Sequence, residues 1–168
     1  YGECRRSNPI DDYRETIEAY IHDRVGGIDD LAVAVDCGTG VAGLATPQVL
    51  DRLGAEVLAV DANVEGTFPA RQSKPTAESL TETAALIERI DRIDCGIAHD
   101  GDADRMRAAT ADGEFLSGDV LLALLGREAA TAGETVAVPV DTSLAVEDHL
   151  AAADIETTRT PVGDVHVA

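Results

Sequence analysis

The sequence predicts an α/β protein, a three-layer α/β/α sandwich around a mixed, mostly parallel sheet, followed by an incomplete second α/β unit. Three observations carry this expectation. Short apolar runs alternate with longer segments at helical spacing, the pattern of strands joined by crossover helices. Turn-forming clusters stand where those runs end, glycines at 38, 40 and 43 and carboxylates at 100, 102 and 104. After Gly133 a strand–helix–strand pattern starts again, and one such unit of about thirty residues cannot cover both faces of a sheet. The expected division is residues 1–132 and 133–168.

Ile10 to Val25 places Tyr13, Ile17, Tyr20, Ile21 and Arg24 at helical spacing, and Gly26-Gly27 stops it. It is expected to be a linker or docking helix. Leu31 to Val35 is a continuous apolar run, as in a strand buried on both faces. The glycine-rich segment from Cys37 to Gly43 is a turn, and Thr46 and Pro47 stand as N-cap and first residue of a helix to about Leu53. Glu56 to Val60 is a second strand, ending at Asp61. Asn63 to Pro75, with two prolines and a glycine, predicts a long loop.

Leu80, Ala84, Ile87 and Ile90 predict a helix over about 76–92, and Cys95 to Ala98 a third strand. Arg107 to Thr110, the Asp112-Gly113 turn and Phe115-Leu116 suggest a hairpin, and Gly118 to Ala130 a helix. Beyond Gly133, Val136 to Val140 reads as strand, Ser143 to Ala153 as helix and Ile155 to Arg159 as strand.

Asp and Glu total 32 against 13 Lys and Arg, a formal charge of −19, and Lys74 is the only lysine. Such a surface repels nucleic acid and anionic membrane. Low lysine with abundant Asp, Ala and Thr resembles proteins of salt-loving archaea, in which molar salt screens self-repulsion; poor folding in dilute buffer is expected. No apolar stretch approaches the ~20 residues of a membrane span. Cys4, Cys37 and Cys95 form no Cys-x-x-Cys pair, so neither a zinc knuckle nor a disulfide framework is indicated. A soluble cytoplasmic protein is expected.

The chemistry concentrates at residues 96–105, Gly-Ile-Ala-His-Asp-Gly-Asp-Ala-Asp-Arg. Asp100, Asp102 and Asp104 alternate where an apolar run ends, with Arg105 directly behind. Clustered carboxylates repel one another unless a cation sits between them, and an all-oxygen set selects a hard ion such as Mg2+. An EF-hand is excluded, because its sixth and twelfth loop positions are held by Arg105 and Ala111. A haloacid-dehalogenase-like phosphatase with Asp100 as nucleophile, a free-standing acidic metal-binding module and a solvated acidic loop are the alternatives. Arg105 alone could simply pair with the same acids, and His99 reads as a structural strand-end residue.

Gly38-Thr-Gly40-Val-Ala-Gly43 satisfies the spacing of a dinucleotide-binding turn, and Asp61 stands near where a ribose-binding acid would. Two residues argue against it. Pro47 puts the helix start after the last glycine, away from any pyrophosphate, and Asp36 before the turn would repel a phosphate.

Taken together, Val35-Asp-Cys-Gly-Thr-Gly40, Phe68-Pro69-Ala-Arg71 with Lys74-Pro75, the Asp-Gly-Asp-Ala-Asp-Arg segment, and Gly118-Asp119 resemble the α-D-phosphohexomutases, the phosphoglucomutase and phosphomannomutase family. The resemblance covers residues 10–168. It implies four-domain enzymes that move a phosphoryl group between the 1- and 6-positions of a hexose phosphate through a hexose bisphosphate, with a phosphoserine of the first domain as donor. It also implies that this chain carries the second domain and the beginning of the third. On that resemblance Asp100, Asp102 and Asp104 hold Mg2+, Arg105 lies beside the phosphoryl group, and Gly163 and Asp164 are candidate substrate contacts.

The sequence departs from the family in several places. The serine followed by His-Asn-Pro is not among the 168 residues; Ser7-Asn8-Pro9 imitates part of it without the histidine. The sugar-specificity loop of the third domain and the phosphate-binding fourth domain are also missing, so no mutase activity is expected of this chain by itself. Asp164 and Val165 follow Gly163 where many relatives have a basic residue or histidine. Arg71 and Lys74 read as solvated loop residues.

Overall fold

Five consecutive buried residues, Ala32–Asp36, form the central strand β1. Alternation along a strand sends successive side chains to opposite faces, and here both faces are covered. Ala32 and Ala34 pack with Ile87, Ile93 and Ala109 on one side. Val33 and Val35 pack with Cys37, Ala42 and Ala55, flanked by Leu50, on the other. The computed structural model describes residue 3 and residues 7–167, apart from the side chains of Asp164 and Val167. Cys4 lies outside the described residues.

The first unit spans Tyr1–Phe115. Its four-stranded sheet has the order β2 (Glu56–Val60), β1, β3 (Cys95–His99), β4 (Met106–Thr110). The first three are parallel, with Val35 opposite Ala59 on one side and Ile97 on the other. β4 is antiparallel to β3, pairing His99 with Met106. Helix α1 (Ile10–Val25) packs against α2 (Thr46–Arg52), and Arg14 Nε donates to Leu44 O, just ahead of α2, at 2.6 Å. Helix α3 (Thr81–Arg89) covers the opposite face of the sheet. Gly96 makes room for it, since a Cβ there would stand 2.4 Å from Ile87 Cδ1. The three layers expected from the sequence are present.

Three local expectations differ. Thr46 is the first residue of α2, not its cap, and its hydroxyl meets His99 Nε2 at 3.2 Å. α3 ends earlier than expected because Ile90 leaves the helical region (φ −108°, ψ 88°) and a turn brings Ile93 into the core. The ladder partner of β4 is β3, while Phe115 adds a single antiparallel bridge to Ala109.

The second unit spans Leu116–Ala168. It contains α4 (Gly118–Ala129), β5 (Thr135–Pro139), α5 (Leu144–Ala151), β6 (Glu156–Thr160) and α6 (Asp164–Val167), with β5 and β6 parallel. Ser117 and Ser143 cap α4 and α5 through their hydroxyls. Val146, Leu150 and Ile155 form its core with Leu122 and Ala123 of α4. The boundary therefore falls between Phe115 and Leu116, not after residue 132. α4 looks in sequence like the close of the first unit, but its apolar side packs on α5. Among the described residues no helix is long and apolar enough to cross a membrane.

Candidate metal centre

Parallel strands bring their carboxyl ends to one edge of a sheet, and three segments meet there. The glycine turn after β1 touches the acidic loop through Val41 N donating to Gly101 O at 3.0 Å. The long loop between β2 and α3 lies against the same residue, since a Cβ on Gly101 would stand 2.7 Å from the Phe68 ring. A groove of about 500 Å³ lined by Tyr13, Leu44, Thr46, His99 and Asp102 opens alongside.

Asp100 is 1% exposed, whereas Asp102 and Asp104 are exposed. Ala103 adopts the left-handed region at φ +61° and its N–H returns to Asp100 O at 3.3 Å, which curls the loop. One carboxylate oxygen from each of the three acids lies within 4.8 Å of the others. Two oxygens on opposite sides of a hard cation stand about 4–5 Å apart at bond lengths of about 2.0–2.5 Å. The residues therefore fit a hard divalent cation in donor type, and their spacing lies at the wide end of that range.

Arg105 closes the loop. Its N–H donates to Asp100 Oδ1 at 3.1 Å and its Nε to Asp100 Oδ2 at 2.6 Å, with a further bond of 3.2 Å to Asp104. Burial pushes the Asp100 carboxyl up, but the Arg105 backbone and guanidinium hold it below the ordinary carboxylate range. For Asp104 the Arg105 bond pulls down while desolvation and the neighbouring Asp100 and Asp102 push up, and the rise prevails. Asp104 and Asp100 in turn raise the Arg105 pKa, so the guanidinium stays charged. His99 is pushed down by burial, against an opposing hydrogen bond with the Arg105 backbone, and its Nε2 is engaged by Thr46.

Arg71 is not the solvated residue the sequence suggests. Its side chain is 5% exposed and pairs with Asp36, itself 1% exposed, at 2.9 Å. Asp36 also accepts from Gly38 N at 2.8 Å and Thr83 Oγ1 at 2.6 Å, and Arg71 reaches on to His99 O at 2.6 Å. Sequence reasoning missed this network. The available signal was Asp36 itself, a carboxylate ending a strand of the buried kind, which demands a partner. Lys74 is exposed, as expected.

The glycine turn spends its amides inward. Gly38 N goes to Asp36, Thr39 N to Asp61 O, Gly40 N to Cys37 O and Val41 N to Gly101 O. The amides of residues 38–41 are thus taken up within the fold, and a 3-10 turn over Val41–Leu44 separates them from α2. The turn serves close approach instead. A Cβ on Gly40 would meet the acidic-loop backbone at 2.7 Å. Gly163 (φ +133°) follows β6 in the second unit, and the Asp164 side chain lies outside the described residues.

Comparison with known proteins adds to this geometry. The family described as phosphoglucomutase/phosphomannomutase, alpha/beta/alpha domain II, matches residues 11–113, and the corresponding domain III matches residues 117–168. A probable phosphoglucosamine mutase of Methanosarcina acetivorans is 43% identical over 98% of this chain and 36% of its own length. One from Methanosarcina barkeri is 47% identical over 84% of this chain and 32% of its own. Among solved structures, a phosphoglucomutase/phosphomannomutase family protein from Burkholderia thailandensis superposes with a TM-score of 0.82 at 26% identity, over 95% of this chain and 34% of its own. A putative phosphomannomutase from Thermus thermophilus shares the fold, with a TM-score of 0.81 at 20% identity, over 96% of this chain and 38% of its own. The chain spans about a third of the length of the curated relatives it matches.

Proposed function

The chain belongs to the phosphoglucomutase/phosphomannomutase family, and from that premise we propose that it is the metal-holding portion of a phosphohexomutase. The parent reaction interconverts hexose 1- and 6-phosphates through a hexose bisphosphate, with a phosphoserine from a domain outside these 168 residues as donor. The observation that carries the reading is the curled loop that brings Asp100, Asp102 and Asp104 within 4.8 Å of one another at the sheet edge.

Asp100, Asp102 and Asp104 would hold Mg2+. When bound, that ion withdraws charge from the oxygens of a transferring phosphoryl group. Arg105, kept charged by Asp104 and Asp100, would stabilise the remaining phosphoryl charge. Buried Asp100 orients both the loop and that arginine. Thr46 and Arg71 hold His99 at the strand end, which supports a structural part for that histidine. Gly163 and Asp164 are kept as substrate contacts only in the longer protein.

The catalytic serine motif is not in the sequence, so this chain alone is expected to be inactive. Family membership displaces the haloacid-dehalogenase-like reading of Asp100, and engagement of both its oxygens by Arg105 makes it a poor nucleophile. The acidic, lysine-poor composition supports a protein of salt-rich cytoplasm. The relatives carry the phosphoglucosamine name, which makes glucosamine phosphate the first substrate to try, ahead of mannose and glucose phosphates. The test is turnover by the longer protein with and without Asp102→Asn. Loss of turnover with retained folding supports the reading; unchanged turnover refutes the metal role.

A further inference from the structure

We propose that Arg71 is a positioning residue for the acidic loop, fixing where Asp100 stands by holding the carbonyl of the residue before it. The proposal rests on the reading of Asp100, Asp102 and Asp104 as a metal site.

A buried guanidinium needs a partner, and Arg71 has one that is itself immobilised. Asp36 receives Arg71 Nε at 3.1 and 3.2 Å and a terminal nitrogen at 2.9 Å. It is also held by the Gly38 amide and the Thr83 hydroxyl. Strand β1, the glycine turn and helix α3 thus fix one carboxylate, and that carboxylate fixes the plane of the fork. Gly38 completes the cradle: a Cβ there would stand 2.5–2.8 Å from the guanidinium atoms.

Neutralising Asp36 does not require the bond that Arg71 makes beyond it. Its terminal nitrogen donates to His99 O at 2.6 Å. That carbonyl belongs to the same peptide plane as the Asp100 amide, which donates to Arg105 O at 3.3 Å. The plane is pinned at both edges, by Arg71 on its oxygen and by the loop's own closing residue on its N–H. A peptide plane held in this way sets the direction of the Asp100 Cα–Cβ bond, and with it the carboxylate position. A lysine, a point charge without the fork, cannot span Asp36 and His99 O in the same geometry.

The experiment measures Mn2+ affinity, by the paramagnetic resonance signal of free Mn2+, and amide hydrogen exchange at residues 100–105. It uses the full chain in molar KCl. Variants are Arg71→Lys, the charge-balanced pair Arg71→Met with Asp36→Asn in case the single change fails to fold, and Ile87→Ala as a core lesion away from the loop. Partners that orient metal ligands are worth about 10–100-fold in affinity. Arg71→Lys and the charge-balanced pair are each expected to weaken Mn2+ at least tenfold and to speed exchange at 100–105. Ile87→Ala, with an equal or greater drop in Tm, is expected to leave affinity within twofold. A parent that binds Mn2+ while the Arg71 variants bind it equally well, or lose affinity only as Ile87→Ala does, overturns the proposal alone. A folded parent that binds no Mn2+ overturns the metal reading and the proposal with it.

Discussion

Asp100 accepts two bonds from a single residue, the backbone N–H of Arg105 on Oδ1 at 3.1 Å and its Nε on Oδ2 at 2.6 Å. The pair closes the acidic loop on itself and keeps a buried carboxylate ionised beside two exposed ones. Asp100 therefore organises the loop, while Asp102 contributes charge and makes no hydrogen bond or ion pair among the described residues.

The two acids should consequently separate stability from binding. Asp100→Asn leaves Arg105 donors facing an amide in a buried position and is expected to cost about 1–3 kcal/mol. Asp102→Asn is expected to stay within about 0.5 kcal/mol of the parent, as surface substitutions do. Urea unfolding in molar KCl measures both; the reverse ranking would contradict the division of roles.

Gly40→Ala is expected to destabilise the chain by about 1–3 kcal/mol, the usual range for overpacking, and to displace the acidic loop. The added Cβ would sit 2.7 Å from Gly101 O and 3.1 Å from Asp100 O, both backbone atoms that cannot swing aside. Gly66→Ala, with nothing within 4 Å, is the control and is expected to be near neutral. Thermal melts of the two variants give the comparison.

Much of this was legible in the sequence, for physical reasons that differ from place to place. Leu31 to Val35 announces a strand covered on both faces because no polar residue interrupts it, and Ala32 to Val35 are indeed buried. The acidic loop is legible because chemistry and spacing coincide at its three carboxylates. Arg71 was not, because its partner lies 35 positions away and the intervening Pro- and Gly-bearing loop carries no period to show which residues turn inward. The unit boundary was misplaced for a related reason. Gly133 breaks the pattern locally, but the packing of α4 on α5 is a tertiary fact.

Cys37 should resist alkylation in the folded chain. Burial, with Asp36 adding to it, pushes its thiol up to about 11, which leaves roughly a hundredfold less thiolate at pH 8 than an ordinary cysteine carries. Site-resolved mass spectrometry with iodoacetamide is expected to show Cys37 slow in the native chain and fast in urea. Equal rates in both would contradict its burial.

Stability should climb with salt. With 32 acidic against 13 basic residues, self-repulsion is screened only as the Debye length falls from about 10 Å at 0.1 M to about 3 Å at 1 M. The Tm is expected to rise steeply across that range of KCl in calorimetric scans, and a flat response would contradict a salt-adapted surface.

The central claim is that Asp100, Asp102 and Asp104 form one divalent-cation site. Calorimetric titration of Mg2+ into the chain in molar KCl, beside Asp102→Asn and with circular dichroism confirming that both are folded, tests it most directly. The account predicts saturable binding by the parent that is at least tenfold weaker in Asp102→Asn. A folded parent that takes up Mg2+ no better than the variant would contradict it.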